Sequence, residues 1–447
     1  MPQPKPTVGI YTMGCKVNQY ESEAIAEAFS ARGFAVCPPE TPCDFYVINT
    51  CTVTGESDRK AGQLCRRAHK ENPAAFILVT GCLSQSRPEA FSALSFVDYL
   101  CGNDRKLSVV DAAERFLREG RGNAPLLQVA PLSDAPFEEM EITHFDRTRA
   151  YVKIEDGCEN RCAYCAIPGA RGPVRSKPLP AVLKEVQKLT ENGCREVVLT
   201  GIETASYGKD IGCDLLALLT AVDQIPGIGR IRLGSLDPSL MREDFVAALA
   251  KLRHLAPHFH LSVQSGSSAV LAAMKRKYNA DMARAAVERL RRRFPDVELT
   301  ADFIVGFPGE TKADFEESAR MVREAGFLQI HVFPYSRRAG TPAAVMKNQL
   351  PMPVKKERCA ALIALGKEVR AARLSRALLS GGTQAVLFET FENGLAVGHT
   401  ASFLEVEVPS DENIHGKEYA VRLTGIRSDR LCGEIVRACS DDRSFSK

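Results

Sequence analysis

Residues Gly157–Pro168 read GCENRCAYCAIP, and the three cysteines in this stretch, Cys158, Cys162 and Cys165, decide what kind of domain surrounds them. The CxxxCxxC spacing, with aromatic Tyr164 before the last cysteine, supplies three thiolates to an iron–sulfur cluster that takes four ligands, which leaves one iron open to a reactant. Structural zinc is the competing use of such cysteines. Zinc sites pair two ligands with a second pair farther along, and this trio has no nearby fourth Cys or His. Disulfides fit less well, because the 15 cysteines are dispersed through 447 residues and the opening MPQPKPTVGIY has no apolar signal segment. The expected setting is a reducing cytoplasm, with cysteines on metal or buried.

Around this loop, six strand-like runs recur with helices between them: YVKIEDGC (151–158), EVVLTGIE (196–203), RIRLGSLDP (230–238), FHLSVQSG (259–266), LTADFIVGF (299–307) and QIHVFPYS (329–336). Six strand and helix units fall short of the eight that close a full barrel, so an open partial (β/α)6 barrel is predicted. Polar residues gather where the strands end. The cysteine loop, Glu203, Asp237, Gln264, Asp302 and Tyr335 are expected to face one mouth, as active-site residues do in barrels of parallel strands.

Upstream, VGIYTMGC (8–15), FYVINTC (45–51) and FILVTGC (76–82) alternate with helical stretches, a pattern that predicts a doubly wound parallel sheet. Each of these strands ends in a cysteine. Open parallel sheets bind ligands at the carboxyl ends of their strands, so Cys15, Cys51 and Cys82 either converge on one spot or are three separate buried thiols. After about residue 103 the signals weaken into a short amphipathic helix and a Pro- and acid-rich segment. Downstream of the central repeats, 354–380 predicts a long helix rich in Lys and Arg, including Lys355, Lys356, Arg370, Arg373 and Arg376. Its basic side is a solvated face or an RNA contact. Short strands from 383 to 438 predict a small β-barrel. The expected α/β chain therefore has a sheet domain (1–105), a connector (106–143), a central core with its trailing helix (144–375) and a terminal barrel (376–440).

Composition is that of an ordinary globular protein, with 45% hydrophobic and 25% charged residues. No apolar run approaches the roughly 20 residues that span a bilayer. A net charge of +3 does not by itself indicate nucleic acid.

Taken together, the motifs resemble the methylthiotransferase family of the radical S-adenosylmethionine (SAM) superfamily over nearly the whole chain. TMGCKVN (12–18), INTCTVT (48–54) and VTGC (79–82) are similar to its auxiliary-cluster domain. CENRCAYCAIPGARGPVRS (158–176), LSVQSGS (261–267), FIVGFPGET (303–311) and HVFPYSRRAGTPA (331–343) resemble its radical SAM core. The terminal barrel resembles its RNA-binding TRAM domain. GCKVNQYES (14–22) is most similar to the branch that converts N6-threonylcarbamoyladenosine, at position 37 next to the tRNA anticodon, to its 2-methylthio form.

The resemblance implies two 4Fe-4S clusters. Cys158, Cys162 and Cys165 would carry the one that cleaves SAM to a 5′-deoxyadenosyl radical, and Cys15, Cys51 and Cys82 an auxiliary one that carries sulfur. SAM would be held by the loop around Tyr164, the strand end at Gly201, Ile202 and Glu203, and the polar groups of Ser235, Gln264 and Asp302. Arg171 and Arg175 are candidates for a substrate carboxylate or an RNA phosphate, or for buried salt bridges. Phe403 and Arg427 are candidates for base stacking and phosphate contact, with a core role open for Phe403. The implied partners are the tRNA anticodon loop, an electron-donating reductant protein and a sulfur source, with no membrane. Sibling enzymes acting on isopentenyladenosine or on a ribosomal-protein aspartate are alternatives, as is an iron–sulfur RNA-binding protein without turnover. Two departures stand out: Glu203 in TGIETASYG, where an imidazole is usual, and Gly169 in place of an aromatic residue.

Overall fold

The computed structural model describes residues 4–122, 124–145 and 148–439. The sequence-derived outer ends of the first and last domains, at residues 1 and 440, lie outside the described residues. The first domain runs β1 (Thr7–Thr12), α1 (Lys16–Ala31), β2 (Ala35–Cys37), β3 (Phe45–Thr50), α2 (Gly55–Glu71), β4 (Phe76–Gly81), α3 (Cys82–Ser86), α4 (Glu89–Ser92), β5 (Tyr99–Cys101), α5 (Ser108–Glu119) and β6 (Leu126–Gln128). Its strands pair in the order β2-β1-β3-β4-β5-β6, all parallel. Side chains alternate across the pleat: Phe45 and Val47 pack with Ile25, Phe29 and Val109 on one face, and Tyr46 and Ile48 with Ala61, Cys65 and Phe91 on the other. The sheet is therefore doubly wound. Its direction of growth reverses between β1 and β3, the switch point where such sheets bind ligands, and Cys15 and Cys51 follow those two strands.

The segment 106–143, read from sequence as a connector, instead supplies α5 and the sixth strand of this sheet, with Tyr99 paired to Leu126. The rest of it straps onto the central domain through buried Met140 and Ile142.

The central domain contains β7 (Arg149–Lys153), a short antiparallel pair β8 (Glu155–Asp156) and β9 (Arg175–Ser176) around α6 (Ile167–Arg171), α7 (Leu179–Glu191), β10 (Glu196–Thr200), α8 (Leu215–Val222), β11 (Arg230–Leu233), β12 (Ser235–Leu236), α9 (Glu243–Leu249), β13 (His258–Gln264), α10 (Ser268–Ala273), α11 (Ala280–Arg293), β14 (Glu298–Val305), α12 (Lys312–Ala325) and β15 (Gln329–Pro334). Parallel strands β7, β10 and β11 form one sheet and β12 to β15 a second, joined by a bridge from Ile231 to Leu255. All six runs read from sequence are strands of this open barrel. Its apolar layer also holds Tyr20 and Ala24 of α1, so the first domain shares its core.

Helix α13 (Met352–Leu379) leads to β16 (Thr383–Glu392), β17 (Leu395–Thr400), β18 (Glu405–Pro409), β19 (Glu418–Arg427) and β20 (Arg430–Ala438), a closed barrel. The boundary placed at 375/376 falls inside α13, because Leu374 is a core residue of the terminal barrel. On that helix, Lys355 is buried and donates to the Tyr335 carbonyl at 3.0 Å, and Arg373 pairs with Glu298 at 2.6 Å, while Lys356 and Arg376 remain exposed. β17 and β18 are separated by a turn where Phe403 has φ +75°.

The flanking domains close opposite ends of the central barrel. The sheet domain sits on the carboxyl ends of the strands: Arg338 meets Thr52 and Asp58, the Gly55 amide donates to Ser336 Oγ, and Asn103 donates to the Ala170 carbonyl. The terminal barrel sits on the amino ends, where Arg149 pairs with Glu389, Arg230 with Glu418, and Arg232 donates to the Ala401 carbonyl. Among the described residues, no helix is long and apolar enough to cross a membrane.

Candidate active site between two cysteine trios

Cys15 caps the amino end of α1, Cys51 follows β3 and Cys82 opens α3, so three strand ends bring three thiols together. Gly14 permits the approach. It has φ +95°, and a Cβ there would lie 2.8 Å from Cys51 Sγ. Crowding by its neighbours raises the thiol of Cys15, an exposed residue, with Cys82 adding to it, and burial pushes Cys51 up to about 11, with Cys82 and Cys15 contributing. These mutual effects place all three sulfurs within one electrostatic neighbourhood. The Val53 amide donates to Cys51 Sγ at 3.4 Å and Arg171 Nε to Cys82 Sγ at 3.2 Å.

The second trio lies on the loop between β8 and α6. Gly157, at φ +84°, admits the crossing of residue 173, whose carbonyl would sit 1.8 Å from a Cβ. Burial pushes Cys158 up to about 12, with Cys165 among the further causes, and Cys165 up to about 11, with Cys162 contributing. The Asn160 amide donates to Cys158 Sγ at 3.4 Å and Arg276 Nη1 to Cys162 Sγ at 3.2 Å. Both trios thus combine grouped thiols with N–H donors aimed at sulfur, a setting that fits thiolate-ligated iron–sulfur clusters, whose sulfurs accept such hydrogen bonds.

The two surroundings differ in charge. Beside the first trio lies a buried network of Glu21, Lys106, Lys153, Asp156 and Arg171. Lys153 meets Glu21 and Asp156 at 2.7 Å each, Arg171 meets Glu21 at 2.6 Å, and Lys106 also pairs with Glu21. Burial alone would raise the Glu21 carboxyl, but Arg171, Lys106 and Lys153 outweigh it and hold it well below the usual carboxylate range. Arg171 is fully buried here and also donates to Asn18 Oδ1. The reading of Arg171 as a grip for a substrate anion is therefore corrected, because its donors are engaged by Glu21, Asp156, Asn18 and Cys82. Arg175 is buried as well, donating to the Arg171 carbonyl at 2.8 Å and lying 3.5 Å from Asp156. Near the second trio, Arg276 is balanced by a single carboxylate, Asp237, at 2.9 Å.

Two cavities lie between the trios and the barrel. The smaller, about 200 Å³, is lined by Tyr164, Cys165, Gln264, Asp302, Tyr335 and the Val53–Thr54 turn after Cys51. The larger, about 500 Å³, runs from Cys15 down the lumen past Gly201 and Ser235 to Phe403. The residues expected around SAM are thus divided between the two, and Ile202 and Glu203 line neither. Glu203 instead accepts from Asn160 Nδ2 at 2.8 Å, inside the second cysteine loop, and its amide donates to Glu155 at 2.8 Å. Burial, then the nearby Asp237, raises the Glu203 carboxyl. Gly169 has open space where a side chain would project.

Phe403 and Arg427, paired in the sequence reading, part company. Arg427 is exposed on the terminal barrel, 3.7 Å from Glu407. Phe403 turns inward to floor the larger cavity, stacked 4.4 Å from His258 and 4.7 Å from His399, with the Arg149 and Arg232 guanidiniums 5.2 and 5.0 Å from its ring. Glu196 lies behind these arginines. Burial would raise it, but Arg232, Arg230 and Arg149 hold it at about 2. Sequence reasoning missed Lys16, Arg232 and Arg276. The signal for Arg232 was present, since two arginines alternate within the apolar run RIRLG and must share one face.

Residues 152–322 match the family described as Radical SAM superfamily, and residues 7–102 match Uncharacterized protein family UPF0004. The chain is 37% identical over 443 residues to the threonylcarbamoyladenosine tRNA methylthiotransferase MtaB of Bacillus subtilis, covering 98% of each chain. It is 37% identical over 425 residues to the Thermotoga maritima protein of the same name, covering 95% of each. It is also 36% identical over 463 residues to the tRNA-2-methylthio-N(6)-dimethylallyladenosine synthase of Oleidesulfovibrio alaskensis, covering 96% of this chain and 98% of that one. Among solved structures, the radical SAM methyltransferase TsrM of Kitasatospora setae has a similar fold, with a TM-score of 0.55 at 16% identity over 76% of this chain and 77% of that one.

Proposed function

The chain belongs to the radical SAM methylthiotransferase family, and on that premise we propose that it converts N6-threonylcarbamoyladenosine at position 37 of tRNA to 2-methylthio-N6-threonylcarbamoyladenosine. Enzymes of this family use SAM and two 4Fe-4S clusters. On this reading Cys158, Cys162 and Cys165 hold the first cluster, and Cys15, Cys51 and Cys82 the second. When bound, these groups supply the carbon radical, the sulfur and the methyl group, a route that adenine carbon 2 requires because its C–H has no acidic proton for a general base to take.

The chain's own residues bind, orient and exclude water. Arg276, Arg171 and the Val53 and Asn160 amides donate to cysteine sulfur, which stabilises thiolate charge. Tyr164, Gln264 and Asp302 of the smaller cavity form the SAM side, with Gly201, Ile202, Glu203 and Ser235 beside it. The larger cavity takes the base. The sheet domain and the terminal barrel, closing the two ends of the lumen, keep water from a reactive intermediate. Exposed Arg427, with Lys356 and Arg376 of α13, is free to meet the RNA backbone. An electron-donating reductant protein and a sulfur source complete the cycle, and the cytoplasm, where cysteines stay reduced, is the proposed location.

The observation that carries this reading is that Cys15 of one trio and Cys165 of the other line two neighbouring cavities. Mass spectrometry of nucleosides tests it, after reconstituted protein, SAM and a chemical reductant are incubated with tRNA bearing N6-threonylcarbamoyladenosine. The 2-methylthio product is expected. Unchanged N6-threonylcarbamoyladenosine alongside a methylthiolated isopentenyladenosine control would overturn the choice of substrate.

A further inference from the structure

The larger cavity has a wall without acids. Its lining includes Lys16, Arg149 and Arg232 and the imidazoles of His258, His260 and His331, and no Asp or Glu among the described residues, although Asp302 behind the lining meets His260 at 3.1 Å. Two of its deepest polar side chains are incompletely satisfied. Arg232, only 2% exposed, uses Nε and Nη2 on Glu196 at 2.7 and 3.3 Å, but its Nη1 has no hydrogen-bond partner. His258, 5% exposed, lies 3.1 Å from Thr300 Oγ1 through Nε2, while its Nδ1 has none. The ammonium of Lys16, at the amino end of α1, makes no hydrogen bond or ion pair among the described residues. The first turn of α1 (Lys16 and Val17) faces the same space and adds the positive end of a helix dipole.

Buried polar groups are ordinarily paired, and each exception calls for an explanation. Leaving a buried guanidinium N–H unmet costs free energy unless a ligand meets it. The guanidinium carbons of Arg149 and Arg232 lie 5.2 and 5.0 Å from the centre of the Phe403 ring, which gathers both cations at the floor. A planar anion meets a guanidinium edge well. Phosphates of RNA lie on the outside of the backbone, whereas this floor is at the end of a lumen entered by a base.

We propose that Arg232 and Lys16, with His258, form a carboxylate-binding subsite at the floor of the lumen that takes the threonyl carboxylate of the substrate base and so selects it over uncharged N6 substituents. The inference rests on the substrate reading above and goes further by assigning the residues that recognise it. It also replaces the role expected of Arg171, whose donors are engaged elsewhere.

Binding to the reconstituted full-length protein tests the subsite. Three anticodon stem-loops serve as probes: one with unmodified adenosine, one with N6-threonylcarbamoyladenosine, and one whose threonyl carboxylate is replaced by carboxamide. With wild-type protein, the carboxamide should bind about 10- to 100-fold more weakly than the carboxylate, the range for a lost charge-assisted contact. In Lys16→Gln and Arg232→Gln the ratio of carboxylate to carboxamide affinity should fall toward one. The wild-type comparison stands even where Arg232→Gln does not fold. Equal binding of the two modified stem-loops by wild-type protein overturns the subsite. So does a loss confined to SAM affinity in the variants, which would assign the cations to the carboxylate of SAM. If wild-type protein makes no 2-methylthio product from the carboxylate stem-loop yet binds it preferentially, the substrate reading fails and the subsite survives. If product forms without any binding preference, the subsite fails and the substrate reading survives.

Discussion

The two cysteine trios are assembled in opposite structural ways. Cys158, Cys162 and Cys165 sit within eight residues on one loop, so local chain geometry nearly suffices to gather them. Their cationic neighbour Arg276 is balanced by one carboxylate. Cys15, Cys51 and Cys82 come from three strand ends, and their setting is a five-residue buried ion network drawn from both the sheet domain and the barrel. A loop can carry its own ligands, whereas ligands gathered by a sheet depend on the docking that brings the counter-charges.

Removing the ligands breaks the comparison most severely. Cys15→Ala, Cys51→Ala and Cys82→Ala together should lose about half of the roughly eight irons and all methylthio product, yet retain SAM cleavage, as read by iron content and 5′-deoxyadenosine release. Replacing Cys158, Cys162 and Cys165 should abolish both activities. Next come the arginines. Arg171→Ala leaves Glu21 and Asp156 short of a buried partner and should cost about 3–5 kcal/mol in denaturant unfolding, with loss of the distributed site. Arg276→Ala, with one carboxylate orphaned, should cost less and affect only the loop site. A smaller effect is expected from Gly14→Ala. Its left-handed φ and the 2.8 Å approach to Cys51 Sγ predict about 1–3 kcal/mol of destabilisation, together with weaker iron retention at the distributed trio. Gly169→Phe should change melting by under about 0.5 kcal/mol, because the side chain would enter open space. A large effect there would give the loop trio a packing dependence that this comparison denies it.

Legibility followed the same division. Five of the six barrel runs read from sequence because largely buried parallel strands are apolar runs long enough to notice; the sixth, β15, is half-buried to exposed and was marked instead by its alternation of polar and apolar residues. The three-residue strands β2, β5 and β6 were not seen, and β6, whose Leu127 is 55% exposed at the sheet edge, lay in a stretch that reads as linker. The cysteines of both trios were legible, one set by spacing and the other by strand position. The groups that surround them were not. Glu21, Lys106, Lys153 and Arg171 meet across separations of 85 to 150 residues, and no local pattern marks a charge destined for burial. The direction of Phe403, for which base stacking and a core role were both open, was not legible because a surface aromatic and an inward one look alike in sequence. Its direction depends on a left-handed turn that only the folded barrel shows.

That turn bears on how the chain can be divided. Phe403 makes the terminal barrel the stopper of a vessel, since its ring closes the base of the larger cavity. A protein truncated after α13 would be an uncorked one, with Arg149, Arg230 and Arg232 stripped of their partners on the terminal barrel and bulk water admitted from below. Lost turnover in such a truncation would therefore report leakage as much as lost grip on tRNA, and transplanting the barrel between relatives would move part of the pocket with it.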